Sequence, residues 1–249
     1  MTKSWFDYFR RNAWPAMPWD DAYRLTEEER SAVASSIQQF QLGEGSEGTA
    51  FIDRAHRFDD DAEFISTLRL FIQEEQRHSA SLGRFLHLHG IPRLKKHWLD
   101  QVFRRIRRMA ALELIVTVLV TAEMIAVPYY RALRNATESP LLRALCGQIL
   151  QDEVAHLQYQ SGTLARLRVG RSAMRRALTE LAHAVLLNAT VLAVWMEHRG
   201  VFVRGGYTLA TFSRESEGEL SAVQLATYTC NAGERSRVPR SWSILPHND

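Results

Sequence analysis

The sequence predicts an all-α fold: a bundle of four long helices with an additional helix toward the C-terminus. Three observations carry this. Apolar residues recur at spacings of three and four along segments of roughly 20 to 30 residues, the period of a helix face. Those segments open on Ser, Thr or Asp and close on Gly or Pro. Short β-branched runs of alternating polarity, the mark of strands, are almost absent.

The first helix opens at Thr26-Glu27-Glu28-Glu29, which reads as a capping box with Thr26 as N-cap and Glu29 at N3. Its apolar stripe runs Val33, Ile37 and Phe40, then Phe51 and Phe58 beyond a glycine-rich stretch, Gly43-Glu44-Gly45-Ser46-Glu47-Gly48. Three glycines there cost about 1 kcal/mol each relative to alanine, which is tolerated where close packing or room beside a ligand requires small side chains. The acidic run Asp59-Asp60-Asp61 opens the second helix, its carboxylates at the positive end of the dipole. Ile65, Leu68, Ile72, Leu82 and Leu86 form its stripe, and Gly90-Ile91-Pro92 stops it. A short basic amphipathic piece follows, around Trp98 to Arg108.

The third helix contains Leu112 to Tyr130, apolar on nearly every side and long enough to cross a membrane. Glu113 and Glu123 lie within it and Pro128 interrupts it, so a helix buried at the centre of a bundle is expected rather than a span. It ends near Asn135. Ser139-Pro140 starts the fourth, Ser as N-cap and Pro at the first helical position, with Leu142, Leu145, Ile149, Leu157, Leu164 and Leu167 to its end near Gly170. A fifth helix spans Ser172 to Arg199, closed by Gly200, and a weaker amphipathic stretch after Gly205-Gly206 is a candidate last helix. The expected organisation is an N-terminal extension (1–25), a helical bundle including the fifth helix (26–200), and a C-terminal appendage (201–249) that is loose from Asn231 onward.

Hydrophobic residues make up 46% of the 249 and charged residues 24%, the proportions of a globular chain able to bury a sizeable core. A net charge of +3 excludes a polycation built to coat nucleic acid. The two cysteines, Cys146 and Cys230, form no Cys-x-x-Cys pair, which argues against a zinc ribbon or a rubredoxin-type iron site and fits a reducing compartment. The first twenty residues lack a continuous apolar run, so no signal peptide is expected and the cytoplasm is the expected location. The basic segments Arg93–Arg108 and Arg166–Arg176 read as solvated faces, with the docking of an acidic carrier protein, a phosphorylated substrate or RNA as the alternative. They have no aromatic interleaving or nucleic-acid motif, so nucleic acid is not the expected partner, and no membrane is expected either. A homodimer is compatible with the sequence.

Each of the four helices carries a carboxylate inside its apolar stripe: Glu44 after Phe40, Glu75 between Ile72 and Leu82, Glu123 after Leu119, and Glu153 after Ile149. Glu75 and Glu153 are each followed three residues later by a histidine, His78 and His156, which puts each pair on one helix face. The arrangement repeats, with 31 residues from Glu44 to Glu75 and 30 from Glu123 to Glu153. An isolated buried carboxylate costs several kcal/mol or is neutralised by protonation. Two divalent cations balance four carboxylates, two neutral imidazoles complete the ligand set, and carboxylate–imidazole mixtures suit iron or manganese. Glu44 gives the more even spacing of the two halves, so Glu44 is the expected ligand and Glu47 is expected beside the ligands or as a ligand that moves. A third pair, Glu180 with His183, has no lone Glu about 30 residues before it and is read as incidental.

Gly-Glu-x-x-Glu in the first helix, Glu75-Gln76-Arg77-His78 in the second and Asp152-Glu153-x-x-His156 in the fourth resemble the ferritin-like di-iron carboxylate superfamily. The second segment is similar to that of aldehyde-deformylating oxygenases, and Gly43-Glu44 to rubrerythrins. The resemblance covers residues 27–168. It implies a ferritin-like four-helix bundle with two iron ions, manganese or a mixed pair being the alternatives. It also implies that Glu74 and Asp152 reach the ring N–H groups of His156 and His78; as residues alone, both read equally as surface acids on a helix edge. Tyr130 shares the face of Glu123 and reads as a hydrogen-bond donor to a ligand or as a core aromatic. The function implied is an O2-activating oxidase or oxygenase for a small or carrier-bound organic substrate, served by an external electron donor. The alternative is a ferroxidase, iron-handling or peroxide-scavenging protein, and the plainest reading is a structural bundle. The chain departs from rubrerythrins in lacking a cysteine-rich iron domain, and from storage ferritins in its basic insert and long fifth helix.

Overall fold

The computed structural model describes residues 4–45, 48–59, 61–98, 101, 105 and 110–229. The fold is all-α, with no strand among these residues. Its helices are α1 (Trp5–Arg11), α2 (Glu27–Glu44), α3 (Thr49–Phe58), α4 (Ala62–Leu88), α5 (Leu112–Ala136), α6 (Pro140–Leu167), α7 (Ala173–Arg204) and α8 (Leu209–Thr229). Helices α2 and α4 pack together, as do α5 and α6, and contacts of α4 with α6 and of α2 with α5 close the four into a ring. Helices α7 and α8 lie on the α5 side, while α1 packs against α4.

The sequence stops and starts are largely where the caps put them. Thr26 Oγ1 accepts from the Glu29 amide (3.2 Å) and Glu29 Oε2 accepts from the Thr26 amide (3.4 Å), completing the capping box. Asp61 caps α4, and Ser139 caps α6 with Pro140 next to it. Glu29 is fully buried, and its carboxylate also accepts from Tyr23 Oη, Thr137 Oγ1 and the Glu138 amide at 2.5–2.8 Å. One carboxylate thus fastens the start of α2 to the junction between α5 and α6. Burial opposes its ionisation, but those donors overcome it and hold the carboxyl below the ordinary range.

Four features depart from the expected outline. The first helix is two: α2 ends at Glu44, and Gly48, at φ +66° in the left-handed region, starts α3 at a place where a Cβ would run into Ile72. Phe58, expected in the stripe, is 46% exposed at the end of α3. The fifth helix runs through Gly200 to Arg204, because Gly200 is where α7 crosses α2: a Cβ there would stand 3.2 Å from the Ala32 carbonyl oxygen. Its backbone leaves helical dihedrals instead at His198 (φ −117°, ψ 18°), whose Nδ1 lies 2.8 Å from Ser36 Oγ. Finally, the N-terminal segment forms α1. Residues beyond 229, Glu47 and most of the basic insert, Arg104, Arg107 and Arg108 among them, lie outside the described residues.

Helices α5 and α7 are both long and apolar enough to cross a membrane by length and composition. The apolar window of α5 is 78% buried at the centre of the bundle, whereas that of α7 is 28% buried. Glu113, at the exposed end of α5, is answered by Arg168 (2.9 Å) and Arg171.

The two halves of the cap should separate cleanly by mutation. Thr26→Ala removes one exposed-end bond and should cost about 1 kcal/mol. Glu29→Ala leaves several buried donors unpaired and should cost at least about 2 kcal/mol. Urea denaturation measures both, and equal losses would show that the Glu29 network adds nothing beyond the cap.

Candidate metal centre

The six residues spaced along four helices converge. Glu44, Glu75, His78 and Glu153 each offer a ligand atom within 4.8 Å of the others, and so do Glu75, Glu123, Glu153 and His156. The two groups share Glu75 and Glu153. Glu44 is the last residue of α2; Glu75 and His78 stand one turn apart on α4, Glu123 is on α5, and Glu153 and His156 repeat the α4 pattern on α6. The rings of the two histidines are 5.6 Å apart. His78, Glu153 and His156 are fully buried and Glu123 nearly so, while the Glu75 side chain keeps 16% accessibility.

The surroundings hold the histidines in one orientation. His78 Nε2 lies 3.0 Å from Asp152 Oδ2, and His156 Nε2 lies 3.1 Å from Glu74 Oε2. Each outer carboxylate therefore comes from the opposite hairpin, Asp152 on α6 bracing a histidine of α4 and Glu74 on α4 bracing one of α6. With the ring proton on Nε2, as those bonds require, Nδ1 of each histidine turns a lone pair toward the centre. Both Nδ1 atoms, Glu75 Oε1 and both oxygens of Glu153 are buried without a hydrogen-bond partner. His156 Nδ1 is only 2.9 Å from Glu75 Oε1, yet the pair is not aligned to bond. Buried polar atoms this close, unpaired and facing one point, fit a cation at that point.

Electrostatics agree. Burial, and then Glu75, raises Glu44 well above the ordinary carboxylate range, and burial followed by Glu123 raises Glu75. Burial and Glu153 do the same to Glu123, and burial takes Glu153 to about 7. Burial disfavours the His156 cation, but the carboxylates of Glu153, Glu74 and Glu75 around the ring raise it well above its usual value. Asp152 goes the other way: burial opposes ionisation, yet the bonds from His78 and Asn12 hold it well below the normal range. Asp152 is thus held ionised while the inner acids are crowded, the pattern that favours replacing their protons by metal cations.

Tyr130 donates to Glu44 Oε1 at 2.8 Å. Glu180 and His183 are turned elsewhere, Glu180 accepting from Tyr228 and His183 Nε2 lying 3.0 Å from Thr121 Oγ1, and neither is in a ligand group.

Sequence reasoning missed the N-terminal segment. Asn12 donates through Nδ2 to both outer carboxylates, Glu74 at 2.7 Å and Asp152 at 2.9 Å. Trp14 donates Nε1–H to Asp152 Oδ2 (2.7 Å) with its ring stacked on His78. Arg77 adds bonds to Glu74 Oε1 and to the Asn12 carbonyl, both at 3.0 Å. Gln160 donates to Glu123 Oε1 and Gln148 to Asp152 Oδ1. Phe9 and Phe71 pack their rings on His156. The signal was the density of large aromatics in the opening residues (Trp5, Phe6, Tyr8, Phe9, Trp14), which is more than a loose extension needs.

No protein-family model, curated protein or solved structure matches the chain.

Two outcomes follow from this geometry. Asn12→Ala and Trp14→Phe, which remove hydrogen-bond donors to the outer carboxylates, should weaken Fe(II) or Mn(II) binding about 10- to 100-fold, as titration calorimetry would read; unchanged affinity in both would remove the N-terminal segment from the site. The second concerns pH. Groups whose folded pKa is raised bind protons more tightly in the native state. Their contribution is therefore fully present below the unfolded carboxyl value of 4.5 and lost as pH rises through the folded value of about 7 for Glu153. Chelator-treated protein should show a melting temperature that falls from about pH 5 to about pH 8, while metal-loaded protein should not, since metals bind the ionised ligands. A melting temperature of the chelated protein that climbs over this range would contradict the crowded cluster.

Proposed function

We propose that the chain is a ferritin-like, di-iron, O2-activating oxidase or oxygenase acting on a small or carrier-bound organic substrate. The observation that carries the reading is the pair of overlapping ligand groups sharing Glu75 and Glu153, each completed by one lone glutamate and one histidine. Glu44, Glu75, His78 and Glu153 would hold one ion, and Glu75, Glu123, Glu153 and His156 the other. The sum of four carboxylates and two neutral imidazoles matches two dications in charge. Oxygen- and nitrogen-rich sets of this kind suit iron, with manganese or a mixed pair as the alternatives. When bound, such ions supply the electrons and open coordination positions that O2 reduction needs.

What the protein contributes is orientation, dryness and proton placement. Asp152 and Glu74 fix the histidine tautomers, and Asn12 and Trp14 keep those two acids in place. Phe9 and Phe71 exclude water beside His156. Tyr130 holds its proton firmly, its hydroxyl raised well above the ordinary value by burial and then by Glu44, and presents it to Glu44 Oε1. Glu44 and Glu75, partly accessible, mark the side from which O2 and substrate would enter. An external electron donor and a cytoplasmic setting belong to the same reading. The helices around the four-helix core favour an enzyme over an iron-handling protein, since iron oxidation needs only that core.

Protein loaded anaerobically with Fe(II) should contain about two ions per chain, and Glu75→Ala and His156→Ala should each greatly reduce that loading. A wild-type value of zero or one removes the dinuclear reading. On exposure to O2, uptake should stop after about one O2 per site when no reductant is supplied. Continued turnover of many equivalents of Fe(II), with a ferric mineral accumulating, would replace the oxygenase with an iron-handling protein.

A further inference from the structure

Helix α7 turns one face to the bundle and leaves the other without cover among the described residues. Met174, Leu178, Leu181, Val185, Leu192 and Met196 are each between 53% and 75% exposed. From Met174 to Leu192 they keep the alternating 4-3-4 spacing of a helix–helix seam, with Asn188 at the position between Val185 and Leu192. Exposed alanines at 177, 182 and 189 widen the stripe without obstructing a neighbour. Between Arg176 and Glu197 the one charged side chain on α7, besides the buried His183, is Glu180, which is half-buried at the stripe's edge and bound by Tyr228. Together the six residues leave several hundred Å² of apolar surface in contact with water, on the order of the largest patch of a typical monomer, which often marks an interaction site.

We propose that this face is a self-association surface, on which two copies of the chain pack α7 against α7, antiparallel, about a twofold axis beside Asn188. The register follows from chemistry. With the axis there, Leu181 meets Met196 and Val185 meets Leu192 of the other copy, and the two Asn188 amides come together. Asn188 Nδ2 already donates to the Ala184 carbonyl (2.8 Å), so its carbonyl oxygen and second N–H remain to pair with the same groups across the axis. A shift by one heptad would set that amide against Leu181 or Trp195, a mismatch that fixes register in helix–helix seams. A parallel pair would set Arg175 and Arg176 against their own copies. The antiparallel pair opposes the helix dipoles. A lipid surface is disfavoured by the same stripe. It has an amide at its middle and no Lys or Arg between Arg176 and Arg199, whereas helices that lie on membranes carry basic residues along their length.

Light scattering on the full chain at micromolar concentration should give twice the 28.5 kDa of one chain. The double variant Leu181→Glu, Leu192→Glu should give the mass of a single chain, with unchanged helicity and unchanged metal loading, since both residues face solvent and lie outside the metal centre. In a Cys146→Ser, Cys230→Ser background, N188C should form a disulfide-linked dimer on mild oxidation. L178C should not, because antiparallel packing holds those two positions about 30 Å apart at 1.5 Å per residue. A monomeric wild type, or a dimer that survives the double variant, overturns the proposal. Equal cross-linking of L178C and N188C overturns the antiparallel register. Flotation of wild-type monomer with phosphatidylcholine or phosphatidylserine vesicles, lost in the double variant, would assign the face to a membrane instead. None of these readings depends on which metal binds or what it does.

Discussion

Four glutamates that point at one another inside an apolar bundle are the constraint around which the rest of this structure is arranged. Left to itself, each would cost several kcal/mol or give up its charge, and placing them together adds mutual repulsion to desolvation. The raised values of Glu44, Glu75, Glu123 and Glu153 express that conflict. The cluster's ligand atoms stand close enough together to hold metal, and cations placed there would convert the repulsion into coordination. Apolar burial elsewhere must therefore be ample, and the nearly all-apolar α5 supplies it.

The same constraint explains why the two hairpins are cross-braced. A histidine that ligates a metal must be neutral and must present a defined nitrogen, which requires an acceptor for its other N–H. Here each acceptor comes from the other hairpin, so that the orientation of His78 depends on α6 and that of His156 on α4. Glu74 and Asp152 are acids too, and two more buried charges would add to the problem. Asn12, Trp14 and Arg77 relieve it by donating to them. The N-terminal segment is thus part of the site: without it, Glu74 would lose the Asn12 donor and Asp152 those of Asn12 and Trp14.

Helices α5 and α7 have similar hydropathy and different surroundings. On α5 the apolar side chains are enclosed by α2, α6, α7 and α8, and the helix forms the axis of the core. On α7 the inward face reaches α2, α5 and α8, and the outward face is equally apolar with nothing in the chain's described residues to cover it. A monomer gains nothing from such a face, which is why a second copy, matched about Asn188, is the simplest account of it.

Read alone, the sequence determined the helical class, most of the caps and the six converging side chains. These are local matters: period, capping chemistry, and a carboxylate in a stripe where a charge is costly. The Glu-x-x-His spacing places two groups on one face whatever the helix packs against, so it survives translation into three dimensions. The tertiary structure decided the rest. Where α2 stops was hidden because the break at Gly48 depends on Ile72 from another helix. That α7 runs through Gly200 depends on the close approach of Ala32, and that Asn12 and Trp14 serve the site depends on α1 folding back onto α4, more than sixty residues away in sequence from the Glu74 that Asn12 binds. The sequence carries no period for contacts of this kind. They arise only when distant segments are brought together, and so does the difference between a helix apolar because it is buried and one apolar because it awaits a partner.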